Sequence, residues 1–281
     1  MNDDSRSRST LERIGGVETL PPLPYVAHEI LLATSTNDAD IMDIAATLSR
    51  EPGLAARIVA MANTAFFTRQ KPIYAVEHAV MRLGLNRVRV LAASLLLNRV
   101  FNSSQCRAFK LERYWHEAVG TAFAAARLAP LTAPDSSKDA AYLGGVLHSI
   151  GLLLLVHIFP RPMNDVLIRH GADPDASLAA LTHEALGCDY GEAGELLLRE
   201  WEVPQPITAV AGHSHRRGYS GAHQELVNTV RFANEWLQVD FAHDQMDDIP
   251  PLPATTLARI GEACRSEHDA LATFARLLAA G

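Results

Sequence analysis

The chain has 281 residues, of which 48% are hydrophobic and 20% charged, a composition typical of a folded globular protein and not of a disordered one. The formal net charge of −7 argues against a general affinity for nucleic-acid phosphates. Cys106, Cys188 and Cys264 are odd in number and far apart, which predicts neither a disulfide framework nor a zinc site. Residues 1–10 lack the apolar segment of a secretory signal, so we expect a cytoplasmic protein.

Helical periodicity dominates the first hundred residues, and no stretch alternates apolar and polar residues long enough to predict a strand. The first predicted helix follows the prolines at 21–24, and a second begins near Ala39. The remaining predicted helices of this half cover residues 54–67, 76–83 and 87–100. Gly84 separates the last two and suits a left-handed helix end.

The second half continues with helical patterns after a polar cluster at residues 102–105, the best candidate for a joint between subdomains. The predicted helices cover residues 111–128, 140–159, 163–170, 178–186, 192–200, 206–213 and 226–239, and two further helical patterns follow Thr256. The most apolar run, residues 144–159, is interrupted by His148, Ser149 and His157. Since it falls short of the ~20 residues that a bilayer requires, we expect a buried core helix and no membrane association.

These patterns predict an all-α protein with two packed helical subdomains. We assign residues 1–19 to an N-terminal extension, 20–101 to a first helical bundle, 106–240 to a second bundle, and 241–281 to a C-terminal helical extension. The joint between the bundles is short, so we expect them to pack together.

Several short motifs follow one another in both halves. The first half contains LPPLP at 20–24, PGLAAR at 52–57, ANTAF at 62–66, KPI at 71–73 and AVMRLG at 79–84. The second half contains Trp115, GGVLHSIG at 144–151, WEVP at 201–204 and HSH at 213–215. Over residues 20–236 the chain resembles the bacterial HDOD domain. This resemblance implies a non-catalytic regulatory domain whose second bundle is a degenerate relative of the HD-type phosphohydrolases.

An active HD site holds a divalent cation with an adjacent His-Asp pair, in which the carboxylate supplies a hard anionic oxygen. In this chain His148 matches the histidine, but Ser149 replaces the aspartate. The resemblance also implies a histidine ligand where Glu117 stands, a histidine after Asp189, an aspartate after His213 and a late aspartate. The positions that form this remnant pocket are Glu117, His148, Ser149, Tyr190, His213 and Asn234, and Ser214 follows His213. We therefore expect no metal, no cofactor and no turnover, with the pocket either stabilising the fold or holding a small effector.

The alternative is a residual metal-dependent phosphohydrolase acting on nucleotides or phosphodiesters. Two histidines with one glutamate form a known catalytic zinc set, and His148, His213 and Glu117 are such a combination. A two-metal hydrolase, however, needs bridging carboxylates that hold ions ~3.5–4 Å apart, and the matching positions offer none. His213 and His215 would point apart on a helix, and the basic residues after them favour a helix end over a metal site.

The expected output is binding to signalling proteins, and the resemblance implies two-component or cyclic-di-nucleotide pathways as the setting. We expect the partner surface on the first bundle, near Asn63, Phe66 and Arg69. Asn63 falls inside the predicted helix 54–67, where its amide should bond to another backbone segment. A third option is nucleic-acid binding through arginines around Gly84, but a solvated helix face is the favoured interpretation; these are Arg82, Arg87, Arg89 and Arg99.

Overall fold

The computed structural model describes residues 14, 20–23, 25, 29, 41–63, 72–173, 176–242, 246, 250–267, 272, 275, 276 and 279. Helices and their connections account for this part of the chain, and it contains no strand, so the all-α prediction is confirmed. The helices are α1 (Ile41–Ser49), α2 (Pro52–Ala62), α3 (Val76–Leu83), α4 (Leu85–Val100), α5 (Leu111–Thr132), α6 (Lys138–Leu147), α7 (Ile150–Ile158), α8 (Pro160–Ala172), α9 (Leu178–Leu186), α10 (Tyr190–Glu200), α11 (Gln205–His213), α12 (Gln224–Gln238) and α13 (Ala254–Ser266).

Two of the predicted helices, 76–83 and 178–186, have the observed bounds. Gly84 separates α3 from α4, but with φ +83° and ψ 147° it is not the left-handed helix end that was predicted; it has another backbone conformation that L side chains rarely adopt. Ser177 caps α9 by accepting a hydrogen bond from the Ala180 backbone N–H, which explains why this helix begins where the polar residues end. The helix predicted after residue 24 lies mostly outside the described residues.

The prediction of one helix over residues 140–159 was wrong, because α6 ends at Leu147 and α7 begins at Ile150. Ser149 has φ −118° and ψ 21°, outside the helical range, so the chain turns at His148 and Ser149. Apolar residues continue on both sides of this turn, and periodicity therefore does not reveal it. By length and composition Lys138–Ile158 could cross a membrane, but 78% of its most apolar window is buried inside the fold, as in the core helices of globular proteins.

The larger apolar core runs through both halves of the chain. It contains Leu54 and Leu91 from the first half together with Trp115, Leu153 and Trp201 from the second. A smaller core joins α5, α12 and α13 through Leu128, Trp236, Phe241 and Leu257. The two bundles are therefore packed on a common core, as the short joint predicted, while the exact domain boundaries remain a prediction.

Candidate functional site

His148 occupies the turn between α6 and α7 and is 7% exposed. Its Nδ1 lies 2.7 Å from the Gly145 carbonyl oxygen. Because a carbonyl only accepts, Nδ1 donates the proton and the Nε2 atom keeps the lone pair. Burial lowers the pKa of His148, and the bond to Gly145 and the negative charge of Glu117 oppose this shift less strongly. The side chain is thus held in one orientation as a neutral imidazole.

Glu117 lies on α5 and forms an ion pair with Arg113 one turn away, with 2.7 Å between Oε1 and Nε. Its charge also acts on Tyr190, the first residue of α10. Burial raises the pKa of Tyr190 most, and the negative charges of Asp189 and Glu117 raise it further. The charge of Glu117 thus acts on both His148 and Tyr190, and a Cβ at Gly151, three residues after His148, would meet the Tyr190 backbone. We call Glu117, His148 and Tyr190 the His148 cluster.

Ser149 lies beside the His148 cluster, where its hydroxyl is close to the phenol of Tyr114. Burial raises the pKa of Tyr114, and the Ser149 hydroxyl offsets this only in part. Ser149 is therefore a neutral neighbour of a buried phenol, and it supplies no anionic oxygen to the turn.

The other two predicted residues make contacts of their own. His213, the last residue of α11, stacks on Tyr219 with ring centroids 4.5 Å apart, and its Nε2 lies 3.9 Å from Glu195. Burial lowers the pKa of His213. Asn234 accepts a hydrogen bond of 3.1 Å from the Thr121 hydroxyl, which lies one turn beyond Glu117 on the same face of α5. Both side chains therefore have partners outside the His148 cluster.

A pair of divalent ions does not fit these residues. Within the described part of the chain, no group of three His, Cys, Asp or Glu side chains lies close enough to hold a metal ion. In the predicted pocket, the sole carboxylate is Glu117, which is already paired with Arg113. Bridging two cations requires carboxylate oxygens that Ser149, Tyr190 and Asn234 do not supply.

A second polar group next to this site was not predicted. Asp189 is the N-cap of α10, and it forms a capping box in which Oδ1 accepts from the Glu192 N–H and Glu192 accepts from the Asp189 N–H, both at 2.8 Å. Its Oδ2 lies 2.9 Å from Arg216 Nη2 and 3.2 Å from His215 Nε2. We call Asp189, Glu192, His215 and Arg216 the Asp189 cluster.

The Asp189 carboxylate is held in its charged form. Burial raises the pKa of Asp189, but the hydrogen bonds from His215, the Glu192 backbone and Arg216 outweigh burial and keep that pKa well below its ordinary value. The Asp-x-x-Glu spacing at 189–192 is a readable helix-start signal, whereas the contact with His215 depends on how α11 returns towards α10. The prediction that His213 and His215 mark a helix end is confirmed, because α11 ends at His213. The basic residues after it bind a carboxylate of another helix.

Glycines set the spacing of the helices around the turn. A Cβ at Gly145 would meet the backbone of Ala122 on α5, and a Cβ at Gly151 would meet the backbone of Tyr190 and Gly194 on α10. The turn that carries His148 is thus pressed between α5 and α10. These glycines therefore allow the helices to pack closely.

Asn63 does not lie within a helix, which corrects the predicted helix over 54–67: α2 ends at Ala62 and Asn63 is its C-cap. The predicted bond to another backbone segment is confirmed, because the Asn63 amide both donates to the Ile73 carbonyl (2.6 Å) and accepts from the Ile73 N–H (2.9 Å). This pair of bonds closes the loop between α2 and α3, a structural role. Phe66 and Arg69, the other predicted surface residues, lie outside the described residues.

The cysteines make no disulfide; all three are free and buried. Burial raises the pKa of the Cys188 thiol to about 12 and that of Cys264 to about 11. These buried thiols are therefore packing residues.

Comparison with known proteins gives solved structures of the same fold. A Marinobacter aquaeolei VT8 protein provisionally named a signal transduction protein is 24% identical, with a TM-score of 0.75 over 99% of this chain and 64% of that one. A Geobacter sulfurreducens HDOD domain protein of unknown function is 20% identical, with a TM-score of 0.70 over 99% of this chain and 98% of that one. A Shewanella amazonensis SB2B protein provisionally named a phosphohydrolase is 22% identical, with a TM-score of 0.67 over 96% of this chain and 98% of that one. At these identities the likeness shows the fold alone.

The chain also matches an uncharacterized protein of Treponema pallidum (strain Nichols), with 25% identity over 235 residues. It spans 45% of the length of that relative, as it spans 64% of the Marinobacter protein. The model of the HDOD domain family matches residues 20–217, which is well over half of the chain. The protein therefore belongs to the HDOD domain family.

Proposed function

We propose that this protein is a non-catalytic regulator in bacterial signal transduction that acts by binding other proteins. The observation that carries the proposal is the chemistry of the His148 turn. The position after the histidine holds the neutral hydroxyl of Ser149, and Tyr190 and Asn234 stand where further ligands are needed. Loss of one ligand weakens a metal site, whereas loss of the bridging carboxylate removes the atom that joins two ions.

The bonding of the remaining residues supports the same proposal. His148 Nδ1 is bound to Gly145 and Glu117 to Arg113, while Asn234 accepts from Thr121. Each of these groups already has a partner within the chain, as expected for side chains that stabilise a bundle. A cytoplasmic location and partners from two-component or cyclic-di-nucleotide pathways complete the proposal.

One feature favours the alternative, a residual metal-dependent phosphohydrolase. The Nδ1–H of His148 is bound to a backbone carbonyl and its Nε2 keeps the lone pair, the arrangement that second-shell bonds impose on metal-binding histidines. Glu117 lies close enough for its charge to act on this imidazole. One imidazole and one carboxylate would hold a single cation weakly.

The experiment that separates these functions measures metal content and turnover together. Full-length protein purified without chelators is analysed for iron, manganese and zinc, and is then assayed with bis-p-nitrophenyl phosphate in the presence of added Mn²⁺ or Fe²⁺. We expect far less than one metal ion per chain and no turnover above that of a His148→Ala variant. Near-stoichiometric metal that disappears in His148→Ala, together with turnover that this variant lacks, would contradict the proposal.

A further inference from the structure

A cavity of about 480 Å³ lies between the end of α5, the first half of α12 and residues 250–252 of the C-terminal extension. Small-molecule sites in proteins usually have volumes of roughly 300–1,000 Å³ and often lie where two parts of a chain meet. The residues that line this cavity belong to neither the His148 cluster nor the Asp189 cluster. It is therefore separate from the site described above, and we call it the α12 cavity.

Much of the lining of the α12 cavity is apolar. Leu128 of α5 and Phe232 of α12 are buried, whereas Leu131, one turn after Leu128, is 48% exposed. Two prolines and a leucine at 250–252 form a further apolar wall. Walls of this kind hold the body of a ligand, while a few polar groups fix its orientation.

Two charged residues line the cavity, and they differ in their partners. Arg231 is buried, and its Nη1 lies 3.2 Å from Oε2 of Glu235. Glu225 is exposed in the first turn of α12, and among the residues that the structure describes its carboxylate has no ion-pair or hydrogen-bond partner. The α12 cavity thus presents one carboxylate without a counter-ion, while its guanidinium is already paired.

Asn228 adds a second acceptor one turn after Glu225, on the same side of α12. Its Nδ2 donates to the Tyr219 carbonyl at 3.4 Å, and since a carbonyl only accepts, this bond fixes which amide atom is the nitrogen. Oδ1 is buried, and no donor in the described part of the chain reaches it. Rotation of the amide about its last torsion breaks only this long bond and turns an acceptor towards the cavity.

We infer that the α12 cavity binds a small molecule with an apolar body and a cationic amine. The amine N–H groups donate to the Glu225 carboxylate and to Asn228 Oδ1, and the apolar body packs on Leu128 and Phe232. Both acceptors then gain the donors that they lack within the described chain. The inference goes beyond the proposed function, because it adds a small-molecule input to the chain.

The place of the cavity indicates what a bound molecule does. The family model matches residues 20–217, so α5 lies inside this range, whereas α12 and residues 250–252 lie beyond it. A molecule in the α12 cavity contacts both parts at once. Binding therefore holds the C-terminal extension against the second bundle.

An anionic ligand fits the α12 cavity less well. The N-terminus of α12 favours negative charge, but Glu225 already supplies it in the first turn. Arg231 is paired with Glu235, and a second carboxylate beside Glu225 would be repelled.

The test uses three compounds that share an indole ring and differ in the end group: tryptamine, indole-3-ethanol and indole-3-propionate. Binding to the full chain is measured by isothermal titration calorimetry at pH 7, where an alkyl amine is protonated. The variants are Glu225→Gln, which removes the charge, and Leu131→Trp, which fills the cavity. Both replace exposed side chains, and circular dichroism checks that the variants are folded.

Each variant has a matched control outside the α12 cavity. Glu112→Gln is the control for Glu225→Gln, because Glu112 is also an exposed glutamate in the first turn of a helix, α5. Ile168→Trp on α8 is the control for Leu131→Trp, because Ile168 is 57% exposed.

We expect tryptamine to bind more tightly than the alcohol and the carboxylate. Its affinity should fall about fivefold in Glu225→Gln, as for one exposed charge pair, and about tenfold or more in Leu131→Trp, while both controls bind like the wild type. If tryptamine does not bind, or binds Leu131→Trp as tightly as the wild type, the α12 cavity is not its site and the inference is wrong. Tighter binding of indole-3-propionate, or equal affinity of tryptamine for wild type and Glu225→Gln, overturns the assignment of a cationic ligand.

Discussion

The His148 cluster and the Asp189 cluster are neighbours whose carboxylates differ in how many partners they bind. In the Asp189 cluster, both carboxylate oxygens accept hydrogen bonds, and the carboxylate joins the start of α10 to the end of α11. In the His148 cluster, the imidazole makes one bond to its own turn and the carboxylate is paired on a half-exposed helix surface. The two clusters therefore contribute to the fold in different ways.

This difference shows where the stability of the second bundle depends on polar groups. Of the residues that a metal-dependent relative would use for ions, His148 and Glu117 bond within one turn, whereas Asn234 accepts from Thr121, 113 residues away. Asp189 contacts side chains 26 and 27 residues away and holds both with one carboxylate oxygen. Substitutions in the two clusters should consequently have unequal effects on the free energy of unfolding, and this inequality can be measured.

The largest effect is expected for Asp189→Ala. It removes the N-cap of α10 and leaves the buried His215 ring and the half-exposed Arg216 guanidinium without their acceptor, so the free energy of unfolding should fall by about 2–4 kcal/mol. Urea unfolding followed by circular dichroism measures this change. Asp189→Asn keeps the cap but not the charge and should lose less. Equal losses in both variants would mean that the charge accounts for the whole effect and the cap contributes nothing.

The same carboxylate predicts a dependence on acid. Because the pKa of Asp189 is lowered in the folded protein, its stabilising contribution is present above the unfolded value of about 3.9 and is lost as the pH falls below it. Wild type should therefore lose more stability than Asp189→Asn between pH 5 and pH 3. Parallel curves for the two proteins over this window would contradict the prediction.

An intermediate effect is expected for His148→Asn, which keeps an N–H donor for the Gly145 carbonyl in less space. We expect a loss of about 1 kcal/mol. Burial lowers the pKa of His148, so the unfolded chain takes up the proton first, and wild-type stability should decrease as the pH falls below about 6.5. The variant should show a shallower decrease between pH 7 and pH 5. A steeper one would mean that the charged imidazole is the favoured form.

The smallest effect is expected for Glu117→Gln. The carboxylate is 32% exposed and its main partner, Arg113, is 72% exposed, so the free energy of unfolding should change by less than about 0.5 kcal/mol. The melting temperature, compared with that of Arg113→Gln as a matched control, measures this. A large loss in Glu117→Gln alone would show that its charge acts through His148 or Tyr190 and not through Arg113.

The sequence predicted the helical fold and several helix ends because their causes are local. Ser177 before α9 and Gly84 between α3 and α4 are signals that a few residues carry by themselves. The bond from Asn63 to another backbone segment was predictable because an Asn side chain in a helical pattern tends to bond to backbone groups outside that helix. The end of α2 at Ala62 was not, since the apolar pattern continues beyond it.

The candidate site was predicted in part. The motif around His148 identified the turn residues, and the charge of Glu117 acts on both His148 and Tyr190. His213 and Asn234 share the bundle but bond elsewhere, because the partner of a polar group depends on which helix faces it.

By itself the sequence determined the all-α class, the family and the replacement of a carboxylate by Ser149, since these depend on residue type and short spacings. Tertiary structure alone decided that the apolar run breaks at His148 and that Asp189 meets His215 and Arg216. It also decided that Tyr74 and Met81 remain exposed. Each of these depends on contacts between helices distant in the chain, and periodicity records the face that a helix buries but not the neighbour against which it is buried.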